Sequence, residues 1–299
     1  MLDRRTFIVA GAALAAGCNG AAPKKPASPD LVARVSAEKL GAIRSTLGAG
    51  ARIGFLAIDV GSGRQLGFDS ESRYAMASTF KLPLAAAVLD RADKGELSLD
   101  EELPFGSAEI ISHSPTLEAN KEQGRLTIIR LCSAIVELSD NGAANLLLRR
   151  IGGPEALTRF VRAKGDPMTR LDRFELELNS NLPGDARDTT TPAAMARLVR
   201  TLVLGDSLAE QSRRHLSTWL TKSVPGPDRL KAGFSAPPWL VGHKTGTGGN
   251  GAVNDVAVAW RSGRPPVVVA CYQSGGDATP AVRAAAHAAV GTLVAEEFA

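Results

Sequence analysis

Ser78 and Lys81 are the residues whose types and spacing most directly suggest chemistry in this chain. They stand three positions apart at the start of an apolar segment typical of a helix. Side chains three positions apart share one helix face, so the hydroxyl and the amine can approach hydrogen-bonding distance. A serine hydroxyl is a weak nucleophile near neutral pH, and a neighbouring base would activate it. The same residues also fit an ordinary helix start with a solvated lysine, and both interpretations stay open on this pair alone.

Three further motifs and one arginine could complete such a site. Ser139-Asp140-Asn141 follows an apolar helical segment, Glu175 lies in a charged loop over 170–188, and Lys244-Thr245-Gly246-Thr247 ends a predicted strand, with Arg229 shortly before it. Each has an ordinary reading as a turn, an exposed acidic loop, a strand end or a surface charge. Their occurrence together with the Ser78–Lys81 pair favours a catalytic serine.

The elements that must position these residues form a recognisable order. Strand patterns at 53–60 and 65–68 predict a β-hairpin, and further strand patterns occur at 239–243, 256–260 and 267–272. A mainly helical block lies between them.

Helices are predicted at both ends of this arrangement. The first is capped by Asp30, with apolar positions at Val32, Val35, Leu40, Ile43 and Leu47, and the last runs from about 280 to 297. We therefore predict an α+β fold, in which an antiparallel sheet is flanked by N- and C-terminal helices and carries an inserted all-α domain. The active site is expected in the cleft between them.

Composition excludes several classes of function. The 299 residues are 44% hydrophobic and 22% charged, which suits a soluble globular protein, and the net charge of +4 includes no long basic run. Nucleic-acid binding is therefore not predicted. The glycines from Gly246 to Gly251 match the dinucleotide-binding pattern, but alternation after them predicts a strand where that pattern requires a helix. Scattered histidines, with Cys132 and Cys271 in apolar segments, predict no metal site, and no cofactor is expected.

The first 29 residues read as targeting sequence. Arg4 and Arg5 precede an apolar stretch too short to span a bilayer, and the pair resembles a twin-arginine export signal. Cys18 closes a lipoprotein-like processing motif, and a plain cleaved signal peptide is the alternative. We expect an export signal over 1–17, a tether over 18–29 and a protein that is periplasmic or lipid-anchored at the cell envelope through Cys18.

The region from about Asp30 to Glu297 resembles a class A serine β-lactamase. The motifs that carry the resemblance are Ser78-Thr79-Phe80-Lys81, residues 139–145, residues 170–179 and 184–190, and Lys244-Thr245-Gly246-Thr247. It implies a catalytic domain over 30–299, with an α/β part at 30–74 and 221–299 and a helical part at 75–220. It also implies a monomer that takes a small-molecule β-lactam as substrate.

The resemblance implies a role for each matched residue. Ser78 would be the nucleophile, Lys81 and Glu175 general bases, Ser139 a proton relay to the ring nitrogen, and Lys244 its electrostatic partner. Which of Lys81 and Glu175 is the acylation base stays open. The other implied residues are the oxyanion-hole N–H groups of Ser78 and Thr247, the substrate-binding residues Asn141, Asn179, Thr245, Gly246, Thr247, Arg229 and His113, and the structural residues Asn145, Arg173 and Asp188.

Glu175 separates two functions that share the other motifs. A penicillin-binding D-Ala-D-Ala peptidase or a β-lactam sensor has the serine, lysine and Lys-Thr-Gly motifs but stays acylated, and this is the alternative. Leu176 stands where family members often have proline, and a cis peptide bond after Glu175 is predicted. His113 could border the cleft opposite the nucleophile or be an exposed loop histidine.

Overall fold

The computed structural model describes residues 32–34, 37–235 and 239–299. The predicted export signal over 1–17, the lipidation residue Cys18, the tether, the Asp30 cap and Val35 lie outside the described residues. Among the described residues, no helix is both long enough and apolar enough to cross a membrane.

Six of the strands form one sheet, whose edge strand carries the Lys-Thr-Gly motif. Within the described part of the chain, the strands are β1 Val32–Arg34, β2 Arg52–Asp59, β3 Gln65–Phe68, β4 Tyr74–Ala75, β5 Glu102–Pro104, β6 Arg125–Thr127, β7 Thr189–Thr190, β8 Leu240–Thr247, β9 Val253–Arg261 and β10 Arg264–Ser274. The sheet order is β1-β3-β2-β10-β9-β8. Every neighbouring pair is antiparallel except β1 and β3, which are parallel.

The helices follow the predicted distribution. In the described residues they are α1 Ala37–Thr46, α2 Lys81–Asp93, α3 Pro115–Ala119, α4 Ile128–Glu137, α5 Asn141–Ile151, α6 Pro154–Ala163, α7 Pro192–Val199, α8 Glu210–Thr221, α9 Leu230–Gly233 and α10 Pro280–Glu297. Short 3-10 helices span Ala77–Phe80 and Glu177–Asn179, and a π-helical turn spans Arg200–Leu204. The predicted α+β fold is confirmed, whereas the domain boundaries at 74 and 220 stay a prediction.

The central strands are buried on both faces because alternate side chains serve two different cores. On β2, Leu56 and Ile58 pack with the helical block. Phe55 and Ala57 point to the other face, where they join residues of α1 and α10. This two-sided burial explains why β2 and β10 read as nearly continuous apolar runs.

One element differs from the prediction. The N-terminal helix was expected to begin near Asp30, but Val32 lies in strand β1 and the helix begins at Ala37. The edge of β3 offers unpaired backbone groups to an extended segment, and Val32 is β-branched, which favours the extended conformation. Leu40 and Leu47 are buried as the helical pattern predicts.

His287 on α10 makes the stability of this fold depend on pH. Its ring is buried, Nε2 donates to the Val253 carbonyl at 3.0 Å, and burial lowers its pKa from 6.5 to about 4. Between these two pKa values the unfolded chain is protonated at His287 and the folded chain is not. The contribution of the neutral ring to stability is therefore fully present above pH 6.5 and is lost as the pH falls toward 4, by up to about 3 kcal/mol.

Urea unfolding between pH 7 and 4 measures this loss. His287→Gln keeps an N–H donor but removes the titration, so its stability should decline less steeply over that interval. Equal slopes for the variant and the parent chain would contradict the assignment to His287.

Candidate active site

Ser78 lies in a tight turn at one end of the cleft. It belongs to the 3-10 helix Ala77–Phe80, which leads directly into α2 at Lys81. A 3-10 helix has three residues per turn, so side chains at i and i+3 are eclipsed. Lys81 Nζ donates to Ser78 Oγ at 2.9 Å. The pair therefore meets as predicted, although Ser78 precedes the α-helix rather than starting it.

Asn254 on β9 supports this turn, and sequence reasoning missed it. Ala77 has a φ of +42°, a conformation that costs a non-glycine residue about 1–3 kcal/mol. The buried Asn254 side chain donates to the carbonyls of Ala75 at 2.9 Å and Met76 at 3.0 Å, which holds the strained backbone in place. A single polar residue within a strand does not form a recognisable motif, so the role of Asn254 could not be predicted from the sequence.

Gly246 lets strand β8 pass close to the nucleophile. A Cβ at this position would lie 2.7 Å from the Met76 carbonyl oxygen and 3.1 Å from the Ser78 nitrogen. Any larger residue would push β8 away from the turn. Because Gly246 has no side chain, the end of β8 can lie next to the Ser78 N–H.

Lys81 is the centre of the polar network. Its Nζ lies 2.9 Å from Ser78 Oγ, 2.8 Å from the Ser139 carbonyl oxygen and 3.0 Å from Glu175 Oε1, and it also donates to Asn141 Oδ1. The side chains of Lys81 and Glu175 are fully buried. Burial lowers the pKa of Lys81, and the Glu175 carboxylate opposes this shift without cancelling it. A larger fraction of this amine is therefore in the neutral form, which can accept a proton, than in an exposed lysine.

Ser139 lies between the side-chain amines of two lysines. Lys244 Nζ donates to Ser139 Oγ at 2.9 Å and to the Thr245 carbonyl at 2.8 Å, while Lys81 Nζ lies 3.5 Å from the same hydroxyl. Burial lowers the pKa of Lys244 well below its usual value, and the charge of Lys81 adds to the effect. The geometry connects the hydroxyl of Ser139 to both lysines.

Asp140 anchors the segment that carries Ser139 and Asn141. It caps α5 by accepting from the Ala143 N–H at 2.8 Å, and its other oxygen accepts from the Thr116 N–H at 2.8 Å. Asn141 donates to the Ser112 carbonyl at 2.8 Å. These bonds fix the loop before α3 against the start of α5.

His113 borders the cleft and is exposed at the same time. Its backbone has a φ of +60°, and its Nε2 lies 3.0 Å from the Leu138 carbonyl oxygen. His113 therefore borders the cleft and is also an exposed loop histidine, so each of the two interpretations is correct in part.

Glu175 is held by its backbone as well as by its side chain. Asn145 on α5 donates to the Glu175 carbonyl at 3.0 Å and accepts from the Glu175 N–H at 3.0 Å. The Glu175–Leu176 peptide bond is cis, as predicted. Asn179 Nδ2 donates to Glu175 Oε2 at 2.6 Å, while Oε1 faces Lys81. The two carboxylate oxygens therefore have separate partners.

The loop over 170–188 is closed at its neck by a buried ion pair. Arg173 Nε donates to Asp188 Oδ2 at 2.6 Å, as predicted, and Asp188 Oδ1 accepts from the N–H groups of Asp172 and Arg173. The Asp188 side chain is fully buried. Removing one partner of such a pair leaves an uncompensated buried charge.

Arg173→Ala is therefore expected to lower the free energy of unfolding by about 3–5 kcal/mol. Arg187→Ala is the matched control, because Arg187 pairs with Asp185 in the same loop but is half exposed. The exposed Arg187 guanidinium should contribute much less, because water screens its charge. Urea unfolding of both variants makes the comparison, and similar losses for the two would contradict a special role for the neck.

Arg229 joins the edge of the sheet to the cleft. Its guanidinium donates to the carbonyls of Gly246 at 3.1 Å and Asn254 at 2.8 Å, and to Thr247 Oγ1 at 2.8 Å.

A cleft of about 300 Å³ separates this edge of the sheet from the helical side. It is lined by Ser78, His113, Ser139, Asn141, Asn179, Pro225, Arg229, Thr245, Gly246 and Thr247. Across the described ranges, no group of three or more His, Cys, Asp or Glu residues is placed to hold a metal ion.

A serine at the cleft that contacts a buried lysine, together with a second serine and a carboxylate, defines a serine acyl-transfer enzyme. Comparisons with known proteins specify the family. The model of the β-lactamase enzyme family matches residues 37–298. β-Lactamase AST-1 of Nocardia asteroides is 40% identical over 273 residues, covering 90% of this chain and 87% of that protein. The carbapenem-hydrolysing β-lactamase KPC of Klebsiella oxytoca is 45% identical over 224 residues, covering 75% and 76%.

Solved structures agree with this result. An ancestral class A β-lactamase is 47% identical, with a TM-score of 0.84, and the match covers 87% of this chain and 99% of that one. The chain belongs to the class A serine β-lactamases.

Proposed function

We propose that this chain hydrolyses the amide bond of β-lactams in two steps through an ester on Ser78. In the first step, Ser78 Oγ bonds to the lactam carbonyl carbon, the ring C–N bond breaks, and the ring nitrogen takes up a proton. In the second, water adds to the ester carbonyl, Ser78 leaves with a proton, and the ring-opened acid is released. The observation that carries the proposal is the position of Lys81 Nζ, within 3.0 Å of both Ser78 Oγ and Glu175 Oε1.

Acylation needs a base for the serine and an acid for the ring nitrogen. The 2.9 Å contact of Lys81 with Ser78 Oγ, and the lowered pKa of this lysine, support direct proton transfer to Lys81. Transfer to Glu175 through a water is the alternative. Ser139 is proposed to pass a proton to the ring nitrogen, which its hydrogen bond with Lys244 supports.

The carbonyl oxygen becomes negatively charged during attack and needs fixed donors. The backbone N–H groups of Ser78 and Thr247 are the proposed pair, supported by the close approach of β8 to the Ser78 turn at Gly246. Losing one such donor typically costs about 3–4 kcal/mol of transition-state stabilisation. Rigid placement matters because the donors must already point at the developing charge.

Substrate recognition is proposed to divide between the two sides of the cleft. Arg229, Thr245 and Thr247 would bind the carboxylate carried by most β-lactams, and an arginine suits a planar anion because its fork donates two parallel hydrogen bonds. Asn141 would hold the acylamido side chain, with His113 at the opposite wall. All five residues line the same cleft.

Deacylation is assigned to Glu175. Its Oε2 accepts from Asn179, and its buried Oε1 lies 3.0 Å from Lys81 Nζ. A carboxylate oriented in this way is suited to take a proton from a water bound between Glu175 and Asn179. A peptidase or sensor would lack this step.

Turnover of a chromogenic cephalosporin by the purified catalytic domain tests the proposal. Sustained hydrolysis supports it. A single stoichiometric acylation without turnover would favour the peptidase or sensor, and no reaction would indicate a non-catalytic binding protein.

The substrate range is a finer proposal. The sequence Lys244-Thr245-Gly246-Thr247 and Arg229 resemble the broader-spectrum branch, and one relative at 45% identity carries carbapenem hydrolysis in its name. We propose carbapenems as substrates of this chain, to be measured as the loss of imipenem absorbance. Absence of hydrolysis at enzyme concentrations that clear penicillin would reject it.

Location and assembly are also proposed. The arginine pair and Cys18 support an exported monomer that is periplasmic or lipid-anchored. If Cys18 is lipidated, Cys18→Ser should move the protein from the membrane fraction to the periplasmic fraction. Unchanged fractionation would reject the lipid anchor, and light scattering at the mass of two chains would reject the monomer.

A further inference from the structure

A second group of buried ionisable residues lies behind the cleft. His243 directly precedes Lys244 on β8, and successive side chains of a strand point to opposite faces. His243 Nδ1 lies 3.1 Å from both carboxylate oxygens of Asp255 on β9, and both side chains are fully buried. No catalytic step proposed above uses this pair.

Asp255 holds the backbone next to the substrate-binding arginine. Its Oδ2 accepts from the Leu230 N–H at 3.1 Å, one residue after Arg229. The Arg229 side chain returns to the same strand, where it donates to the carbonyl of Asn254. Both the backbone beside Arg229 and its guanidinium are therefore attached to β9 at adjacent residues, and a shift of Asp255 would move the arginine.

Asp255 also supplies charge behind Lys244. Burial lowers the pKa of Lys244, and the positive charges of Lys81 and Arg229 add to this effect. Two carboxylates oppose it, and Asp255 contributes more than Glu175. In the register of β8 and β9, Asp255 lies opposite Thr245, the residue after Lys244. The protonated form of Lys244 therefore depends on a carboxylate of the neighbouring strand.

The groups around Asp255 keep it ionised. Burial alone would raise its pKa, but His243, His287 and Arg229 together outweigh burial and lower it. On β10, Cys271 is held as the neutral thiol, because burial and the Asp255 charge raise its pKa. The carboxylate is thus a stable negative charge among these neighbours.

We propose that Asp255, held by His243, is a positioning residue for recognition of the substrate carboxylate, which fixes the backbone at Arg229 and keeps Lys244 protonated from behind the strand. This inference rests on the proposed function, in which Arg229 and Lys244 act on the substrate. Asp255 would be the residue that fixes the position of Arg229 and favours the charged form of Lys244.

Asp255→Asn tests the proposal, because it keeps the shape and the acceptor for Leu230 while removing the charge. The measurement is the pH profile of kcat/KM for benzylpenicillin, whose alkaline limb reports loss of the Lys244 proton. We expect this limb to move to lower pH by about one unit. At pH values above both limbs, kcat/KM of the variant should then be roughly tenfold lower than that of the parent chain. Asp228→Asn removes the same charge at an exposed position next to Arg229, and its limb should coincide with that of the parent chain.

The origin of the shift is checked in a Lys244→Arg background. Arginine stays charged throughout this range, so adding Asp255→Asn there should not move the limb. A limb that is the same in Asp255→Asn and the parent chain would overturn the inference. A parent chain with no hydrolysis at all would instead overturn the proposed function.

The unmodified chain provides a measurement that does not depend on the folding of any variant. NMR of the chain with 15N-labelled lysine should show the Lys244 amine protonated at pH 7. A neutral Lys244 at that pH would contradict the proposal.

Discussion

Replacing Glu175 by glutamine is expected to give an enzyme that takes up one β-lactam per molecule and then almost stops. The side chain keeps its size, but it can no longer accept a proton from water. General base catalysis of this kind contributes roughly 10²- to 10⁴-fold, so kcat should fall by that factor. Stopped-flow measurements with a chromogenic substrate should show a burst equal to the enzyme concentration, followed by the slow steady state.

Acylation by this variant should continue at lower pH than in the parent chain. The Glu175 carboxylate favours the charged form of Lys81, which opposes the effect of burial. Removing that negative charge lowers the pKa of Lys81 further, so more neutral amine is present at a given pH. The acidic limb of the burst rate should therefore move to lower pH.

Glu177→Gln is the matched control for both measurements. Glu177 lies two residues further along the same loop and is exposed. Its replacement should leave the burst and the steady state unchanged. Equal slowing of turnover by the two variants would mean that the charge of the loop matters and not the position of Glu175.

Ser78→Ala is expected to have the largest effect on turnover. The change removes the only atom proposed to form a covalent bond with the substrate. Loss of a serine nucleophile typically costs on the order of 10⁶-fold in kcat. The network around Lys81 loses a single hydrogen-bond acceptor, so the fold should persist. Turnover, the covalent adduct and thermal unfolding should be measured on the same preparation.

Ser133→Ala provides the control for Ser78→Ala. Ser133 lies on α4, where its hydroxyl donates to the Arg130 carbonyl within the same helix, and the substitution should leave turnover unchanged. If Ser78→Ala kept more than about a hundredth of the parent rate, a direct attack by water would replace the acyl-enzyme account.

The main features of the site could be predicted from the sequence because its residues occur in short local motifs. Ser78 and Lys81 are three positions apart, and Ser139 and Asn141 share one helix start, so local geometry alone places each pair. The hairpin β2–β3 and helix α10 were also predictable, since their periodicity and turn residues agree with the fold. Their relative positions across the cleft, by contrast, entered through resemblance to a family.

Other parts could not be predicted because tertiary contacts decide them. Val32 has a helical neighbourhood, but the free edge of β3 makes it a strand. Asn254 supports the strained turn from a distant strand. The buried pair of His243 and Asp255 depends on the register of β8 and β9, in which Asp255 lies opposite Thr245, two residues beyond His243. A single polar residue in an apolar strand does not reveal the partner that makes its burial tolerable.

The proposed mechanism requires that Ser78 carries the substrate and that Glu175 makes its ester short-lived. Time-resolved intact-mass spectrometry with benzylpenicillin, followed by peptide mapping, tests it most directly in the parent chain and in Glu175→Gln. We expect one adduct of the full substrate mass on the peptide containing Ser78, which disappears once substrate is exhausted in the parent chain and persists in the variant. An adduct on another residue, or equally rapid loss from both proteins, would contradict it.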